Sequence, residues 1–151
     1  MMKMARNKRI VEALTSTARI NPDDYSIKTS PNRVESLGYA LAGWLYMLRW
    51  QKNVRILIPA SILAVAVALW LQISFSEMAT IILVITIVWM AEFLNAAVEA
   101  VVNLATTEWH PMAKVAKDVA AAAVLLGVVA AVLVGLLIFG PPLLARLGFT
   151  V

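Results

Sequence analysis

Cysteine is absent from the chain, which excludes a disulfide framework and any mechanism built on a thiolate. Histidine occurs once, at His110, so a histidine-rich metal centre is excluded as well. Charge is scarce: 15% of the 151 residues are Asp, Glu, Lys or Arg, whereas an ordinary soluble domain carries about 25%. Hydrophobic residues make up 62% of the sequence, above the roughly 45–50% of such a domain. This balance argues against a soluble globule and against a disordered tail. It reads as an integral membrane protein, and the length suits one domain.

Three long apolar runs carry that reading. No charge interrupts residues 56–73, about the length needed to cross a hydrocarbon core. After a short polar break at Ser74 to Glu77, a second span is expected over 78–104, and a third over 115–139, closed by Gly140, Pro141 and Pro142, whose backbone properties end helices. The first run lies too deep in the chain, with no small-residue cleavage pattern after it, to be a signal peptide. Ten of the thirteen basic residues precede Ile56. By the positive-inside rule the N-terminus is expected in the cytoplasm, with Ser74 outside and the loop from Thr106 to Lys114 inside.

Residues 1–32 read as a polar, basic arm, suited to topology and solubility or to anchoring on anionic lipid, and residues 33–151 as the membrane domain. Within the latter, Leu37, Leu41, Trp44, Leu45 and Leu48 fall on one helical stripe, which predicts an amphipathic surface helix over 33–54. The expected fold is all-α: this surface helix followed by three transmembrane helices. In the third span Ala123, Gly127, Ala131 and Gly135 recur every four residues, a row that lets helix backbones approach closely in lipid.

The chemistry gathers at the inner end of span two. Glu92, Asn95, Glu99 and Asn103 stand at roughly 0°, 300°, 340° and 20° around a helix, on one narrow face. Acids at membrane depth are costly unless paired, hydrated or turned to a protein cavity. One role for them is a polar contact with Lys114 or Lys117, which needs no ligand. Against this stands a second polar cluster, His110-Pro111-Met112-Ala113-Lys114-Val115-Ala116-Lys117-Asp118, across a short loop. A carboxylate base, a carboxylate and an amide for metal or hydroxyl contacts, and an ammonium for phosphate are the parts phosphoryl transfer uses, because that reaction runs on positioning and charge neutralisation. Neither soluble type of glycine-rich phosphate loop is present, so a nucleotide site must be built from helix side chains. A channel is disfavoured, since the polar residues cluster at one membrane end and line no path.

Glu92-x-x-Asn95-x-x-x-Glu99-Ala100-Val101-Val102, followed by His110-Pro111-x-Ala113-Lys114-x-Ala116-Lys117-Asp118, resembles the small prokaryotic integral membrane diacylglycerol kinases, including the branch of undecaprenol kinases. The resemblance extends from about Arg33 to Phe139. It implies a homotrimer with active sites shared between subunits, use of ATP with Mg²⁺, and a lipid alcohol as substrate, diacylglycerol or undecaprenol, phosphorylated at the cytoplasmic leaflet of a prokaryotic inner membrane. No nucleic acid partner is implied. By matching position, Glu92 resembles the catalytic base and Asn95 a residue arranging that site. Glu99 resembles the carboxylate that holds Mg²⁺ on the nucleotide, Lys117 the phosphate-binding lysine and Asp118 its nucleotide-site neighbour. Tyr39 falls where the family has a tyrosine near the nucleotide.

Two positions depart from the pattern. Gln51 stands where the family has the second metal carboxylate; its amide offers oxygen without negative charge. Asn103 stands where the family usually has Asp. These departures leave open an alternative in which the chain is a catalytically impaired member that acts as a structural or accessory membrane subunit.

Overall fold

The computed structural model of the protein describes residues 32–149, so the basic arm, apart from Asn32, lies outside the described residues. Four helices and no strand occur among them: α1 (Arg33–Trp50), α2 (Val54–Leu71), α3 (Phe75–Ala105) and α4 (Pro111–Arg146). The chain forms two compact units that divide within α1, one ending at Ala42 and the other beginning at Gly43.

In the first unit Asn32 starts α1, its Oδ1 accepting the N–H of Glu35 at 2.9 Å and so satisfying one of the helix's unpaired first-turn donors. The apolar stripe along α1 stays exposed: Leu37 by 61% and Leu41 by 55%. In the second unit, one residue of α1 is buried, Met47, which packs with Val54 of α2 and Ala96 of α3. Helix α1 ends at Trp50, earlier than the expected 54, and α2 begins after only Gln51, Lys52 and Asn53.

α2 stops through its backbone. Gln72 adopts φ 56° and ψ 42°, and the N–H groups of Gln72 and Ile73 return to Leu69 O and Ala68 O, which closes the free carbonyls of the last turn. The polar break then starts α3. Ser74 Oγ accepts from Glu77 N, and Glu77 Oε2 accepts from Ser74 N at 2.7 Å, a reciprocal cap that satisfies two donors at once. Ser74→Ala is expected to cost about 1 kcal/mol of stability, read as a lower midpoint of SDS-induced unfolding in detergent micelles; an unchanged midpoint would count against the cap.

At the other end of α3, Thr106 turns the chain by bonding to the backbone of Glu108. His110 then caps α4, its Nδ1 accepting Met112 N–H at 3.2 Å, with Pro111 in the first helical turn. Pro111 suits that place because its missing N–H would be unpaired there anyway.

Contrary to the sequence expectation, Gly140, Pro141 and Pro142 do not close the third span: α4 continues through them to Arg146. Proline's fixed φ is compatible with a helix, and the loss is confined to ladder bonds one turn back. In lipid such losses are tolerated where local adjustment re-satisfies the freed carbonyls. The extension brings the Arg146 guanidinium over the Trp70 ring, 4.8 Å from its centroid.

Helices α2, α3 and α4 are each long and apolar enough to cross a membrane. α4 has no buried residue at all, and large apolar side chains such as Leu126 and Leu137 are exposed. In lipid these faces carry no hydrophobic penalty, so close packing has to hold the helices together. Gly127 supplies it: a Cβ there would lie 3.7 Å from Val88 Cγ2 and 3.8 Å from Val88 Cα on α3. The small-residue row is therefore used in part. Gly135 faces only Phe139 of its own helix within 4.0 Å.

Candidate functional site

Length mismatch between the helices positions the polar residues. α2 has 18 residues and α3 has 31, so α3 is longer by about 20 Å at 1.5 Å per residue. Val54, at the start of α2, packs with Ala96. Glu92 therefore lies near the level where α2 begins, while Glu99 and Asn103 ride on the part of α3 that projects past it, together with the first turns of α4.

Glu92 is 1% exposed and Asn95 6% exposed, the two buried polar residues of the described chain. Each has an oxygen with no hydrogen-bond partner, Glu92 Oε1 and Asn95 Oδ1. Buried polar atoms normally find partners, and one left without a partner costs its full desolvation. Glu92 lines an apolar groove of about 440 Å³ between α2, α3 and α4, with Asn53, Leu57, Ser61, Val88 and Val128 among its walls. Asn95 lines a different groove of about 320 Å³, with Ala91, Ala120 and Ala123. The four-residue stripe thus divides between grooves; Asn95 Nδ2 reaches Glu99 Oε1 at 3.5 Å, a long contact.

At the projecting end, a cleft of about 600 Å³ is lined by Val102, Asn103, Glu108, Trp109, His110, Lys114, Lys117 and Asp118. Lys117 Nζ donates to Asn103 Oδ1 at 2.7 Å. Lys114 forms an ion pair with Asp118, one turn along the helix. Both lysines are thus engaged away from Glu92 and Glu99, and the ligand-independent role considered for those acids is not what these contacts show. Trp109 stands 79% exposed beside the cleft.

Glu99 is half-buried, as is Gln51. Met47 and Ala96 share one buried cluster; Gln51 lies one turn beyond Met47, its N–H donating to Met47 O at 3.1 Å, and Glu99 one turn beyond Ala96. Among the described residues no group of three or more His, Cys, Asp or Glu side chains gathers as a metal site. Tyr39 belongs to the first unit and is 65% exposed.

Some neighbours of Glu92 were not singled out from sequence. Trp89 Nε1 donates to Ser61 Oγ at 3.1 Å, and Ser61 Oγ donates to Leu57 O at 2.7 Å, which ties α3 to α2 beside the groove. The available signal was that Ser61 is the lone hydroxyl of an 18-residue apolar helix. Trp44, on the apolar stripe of α1, packs on Phe93 and Trp89, with ring centroids 4.8 and 5.4 Å away.

The family model for prokaryotic diacylglycerol kinase matches residues 38–139, a stretch that contains every residue lining the Glu92 groove and the cleft. The chain belongs to the prokaryotic diacylglycerol kinase family. Membership makes it a lipid kinase. It is 39% identical over 119 residues to a diacylglycerol kinase of Synechocystis sp., covering 78% of this chain and 68% of that protein. It is 34% identical over 105 residues to a diacylglycerol kinase of Pseudomonas aeruginosa, covering 69% and 85%. An undecaprenol kinase of Bacillus subtilis is 37% identical over 95 residues, covering 63% and 77%. The family assignment favours an enzyme over the accessory-subunit alternative, and all the site residues considered above fall within the matched residues.

Proposed function

We propose that the protein transfers the γ-phosphate of ATP to the hydroxyl of a membrane lipid alcohol, diacylglycerol or undecaprenol, at the cytoplasmic leaflet. One observation carries this reading: Glu92, a buried residue of an apolar groove, has a carboxylate oxygen, Oε1, with no hydrogen-bond partner among the described residues. A lipid alcohol supplies the two missing parts together, a chain for the groove and an O–H donor for the oxygen. Glu92 then accepts that proton as the alcohol oxygen attacks the γ-phosphorus and the bond from that phosphorus to the bridging oxygen breaks, releasing ADP, and no phosphoenzyme is needed.

From Glu92 to Asn103 the stripe runs about 16 Å along α3, at 1.5 Å per residue, longer than a triphosphate alone, so on this reading the γ-phosphate lies toward Glu92 and the rest of the nucleotide toward Lys117. Lys117 neutralises phosphate charge, with Asp118 as a further nucleotide contact; Asn95, through its contact with Glu99, arranges the middle of the site. Mg²⁺ in kinases is held by one or two carboxylates together with substrate phosphates. Glu99, with no lysine partner among the described residues, and the Gln51 amide fit that donor set, and the ion when bound would neutralise charge on the triphosphate. A boundary poor in water strengthens each of these charge interactions.

The same reading sets the surroundings. The basic excess before α2 puts the N-terminus in the cytoplasm of a prokaryotic cell, with residues 1–32 as a basic arm and 33–151 as the kinase domain in the inner membrane. A homotrimer with shared sites is supported by α4, whose lack of buried residues leaves it free to pack on other copies, and by the unpartnered Asn95 Oδ1 beside Ala91, Ala120 and Ala123.

The test is direct. Purified protein in mixed micelles with MgATP is expected to form radiolabelled lipid phosphate from diacylglycerol or from undecaprenol, and comparing the two identifies the substrate. No turnover with either alcohol would overturn the proposal.

A further inference from the structure

We propose that Arg146, stacked on Trp70 at the end of α4 remote from the Lys117 cleft, binds the phosphate of an anionic phospholipid. Residues 140–149 lie beyond the stretch that the family model matches, and the kinase reading uses none of them. α4 nevertheless continues through Gly140, Pro141 and Pro142 to Arg146. Gly127 meets Val88 where α4 crosses α3. From that crossing α4 runs nineteen residues further to Arg146, about 29 Å, whereas α3 runs thirteen back to its start at Phe75, about 20 Å. The backbone of Arg146 is thus carried past the end of α3. A helical side chain leans toward the N-terminus of its own helix, and here that lean returns the guanidinium to the Trp70 ring, 4.8 Å from the centroid.

Stacking uses the flat face of a guanidinium and leaves its five in-plane N–H donors open. None of them has a carboxylate partner or another acceptor among the described residues. The acid at this end of the helices, Glu77, is already engaged: its Oε2 accepts from Ser74 N at 2.7 Å and from Ser74 Oγ at 2.6 Å. Trp70 is the next-to-last residue of α2, where aromatic side chains sit at the membrane boundary.

Apolar side chains stand exposed at the same end: Phe75, Leu147 and Phe149. Gly148, at φ 87°, folds the chain back, with Gly148 N–H on Ala145 O and Phe149 N–H on Leu144 O, a closure that keeps Leu147 and Phe149 at the helix end. A phospholipid supplies what this end lacks, acyl chains for the apolar side chains and paired phosphate oxygens for the arginine fork. A zwitterionic headgroup would also bring an ammonium, for which the described residues here hold no unspent carboxylate. The net-anionic lipid is therefore the better ligand, and the site is independent of the kinase reading.

Full-length protein in micelles, titrated with phosphatidylglycerol and separately with phosphatidylcholine and read by native mass spectrometry, tests this. Arg146→Gln is expected to weaken phosphatidylglycerol binding by about fivefold, the scale of one basic residue at an anionic surface, and phosphatidylcholine binding by less than about twofold. Trp70→Leu, which keeps the charge and removes its platform, should weaken phosphatidylglycerol binding by about threefold. The basic N-terminal arm is common to all three proteins, so the differences isolate the Arg146 site. Glycerol 3-phosphate in large excess should not displace the lipid. Parent-like phosphatidylglycerol binding by either variant would overturn the proposal, as would equal losses toward both lipids. Displacement by glycerol 3-phosphate would overturn the assignment to a lipid.

Discussion

Glu92→Gln is expected to lower lipid phosphorylation by about 10²- to 10⁴-fold, the usual contribution of a positioned general base. Glutamine matches glutamate in shape and retains a side-chain oxygen, so the groove between α2, α3 and α4 keeps its walls. Its amide has no useful affinity for a proton, so the alcohol must attack without a base. ATP binding should be preserved, because Glu92 is eleven residues, about 16 Å along α3, from Asn103 and the cleft. The measurements are the initial rate of lipid phosphate formation and, in the same preparation, calorimetric ATP affinity. A variant that binds ATP normally and retains more than about a tenth of the activity would remove Glu92 from the chemistry. Loss of both would indicate a collapsed fold, which circular dichroism would register as lost helix.

That expectation joins a feature readable in sequence to one that is not. Two acids and two amides on one face of a membrane helix are visible from spacing, because a helix repeats every 3.6 residues whatever it packs against. The partners of those residues depend on how α4 crosses α3. Gly127 seats α4 against Val88, and Glu92 and Asn95 come to line different grooves, a division that helical periodicity alone does not reveal. The lysines show the same limit. Their nearness to the acids followed from a short loop, but Lys114 turned to Asp118 one turn along its own helix and Lys117 to Asn103 across the hairpin.

Helix starts carry signals that are local and chemical, although the second and third spans were expected only from 78 and 115. Ser74 and Glu77 form a cap within four residues, and Pro111 after His110 starts a helix by its own geometry. Pro141 and Pro142 misled because their rule is written for helices in water, where ending a helix leaves carbonyls that solvent can satisfy. Inside a long apolar helix, ending exposes more backbone than continuing.

Gln51→Glu is the second large change expected, and it is a gain. On the proposed reading Glu99 is the one full negative charge offered to Mg²⁺, with the Gln51 amide contributing oxygen only. Met47 and Ala96 share a buried cluster, and Gln51 and Glu99 each lie one turn further along their own chains; the proposed metal site requires Gln51 and Glu99 to approach. A second carboxylate there adds a full charge opposite a dication, an attraction of roughly 8 kcal/mol at 4 Å with an effective dielectric near 20. Water around the projecting end of α3 screens much of it, which leaves on the order of a tenfold lower Mg²⁺ concentration for half-maximal rate. The rate at saturating Mg²⁺ should change far less, since the added charge acts on metal occupancy and leaves Glu92 and the lipid groove untouched. Titrating Mg²⁺ at fixed ATP in the micelle assay separates the two quantities. An unchanged half-saturation point would mean that Gln51 does not approach the metal and that Glu99 with the phosphates suffices. A shift to higher Mg²⁺ would mean that the new carboxylate binds Lys52 or Arg55 instead, the two cations nearest to it along the chain.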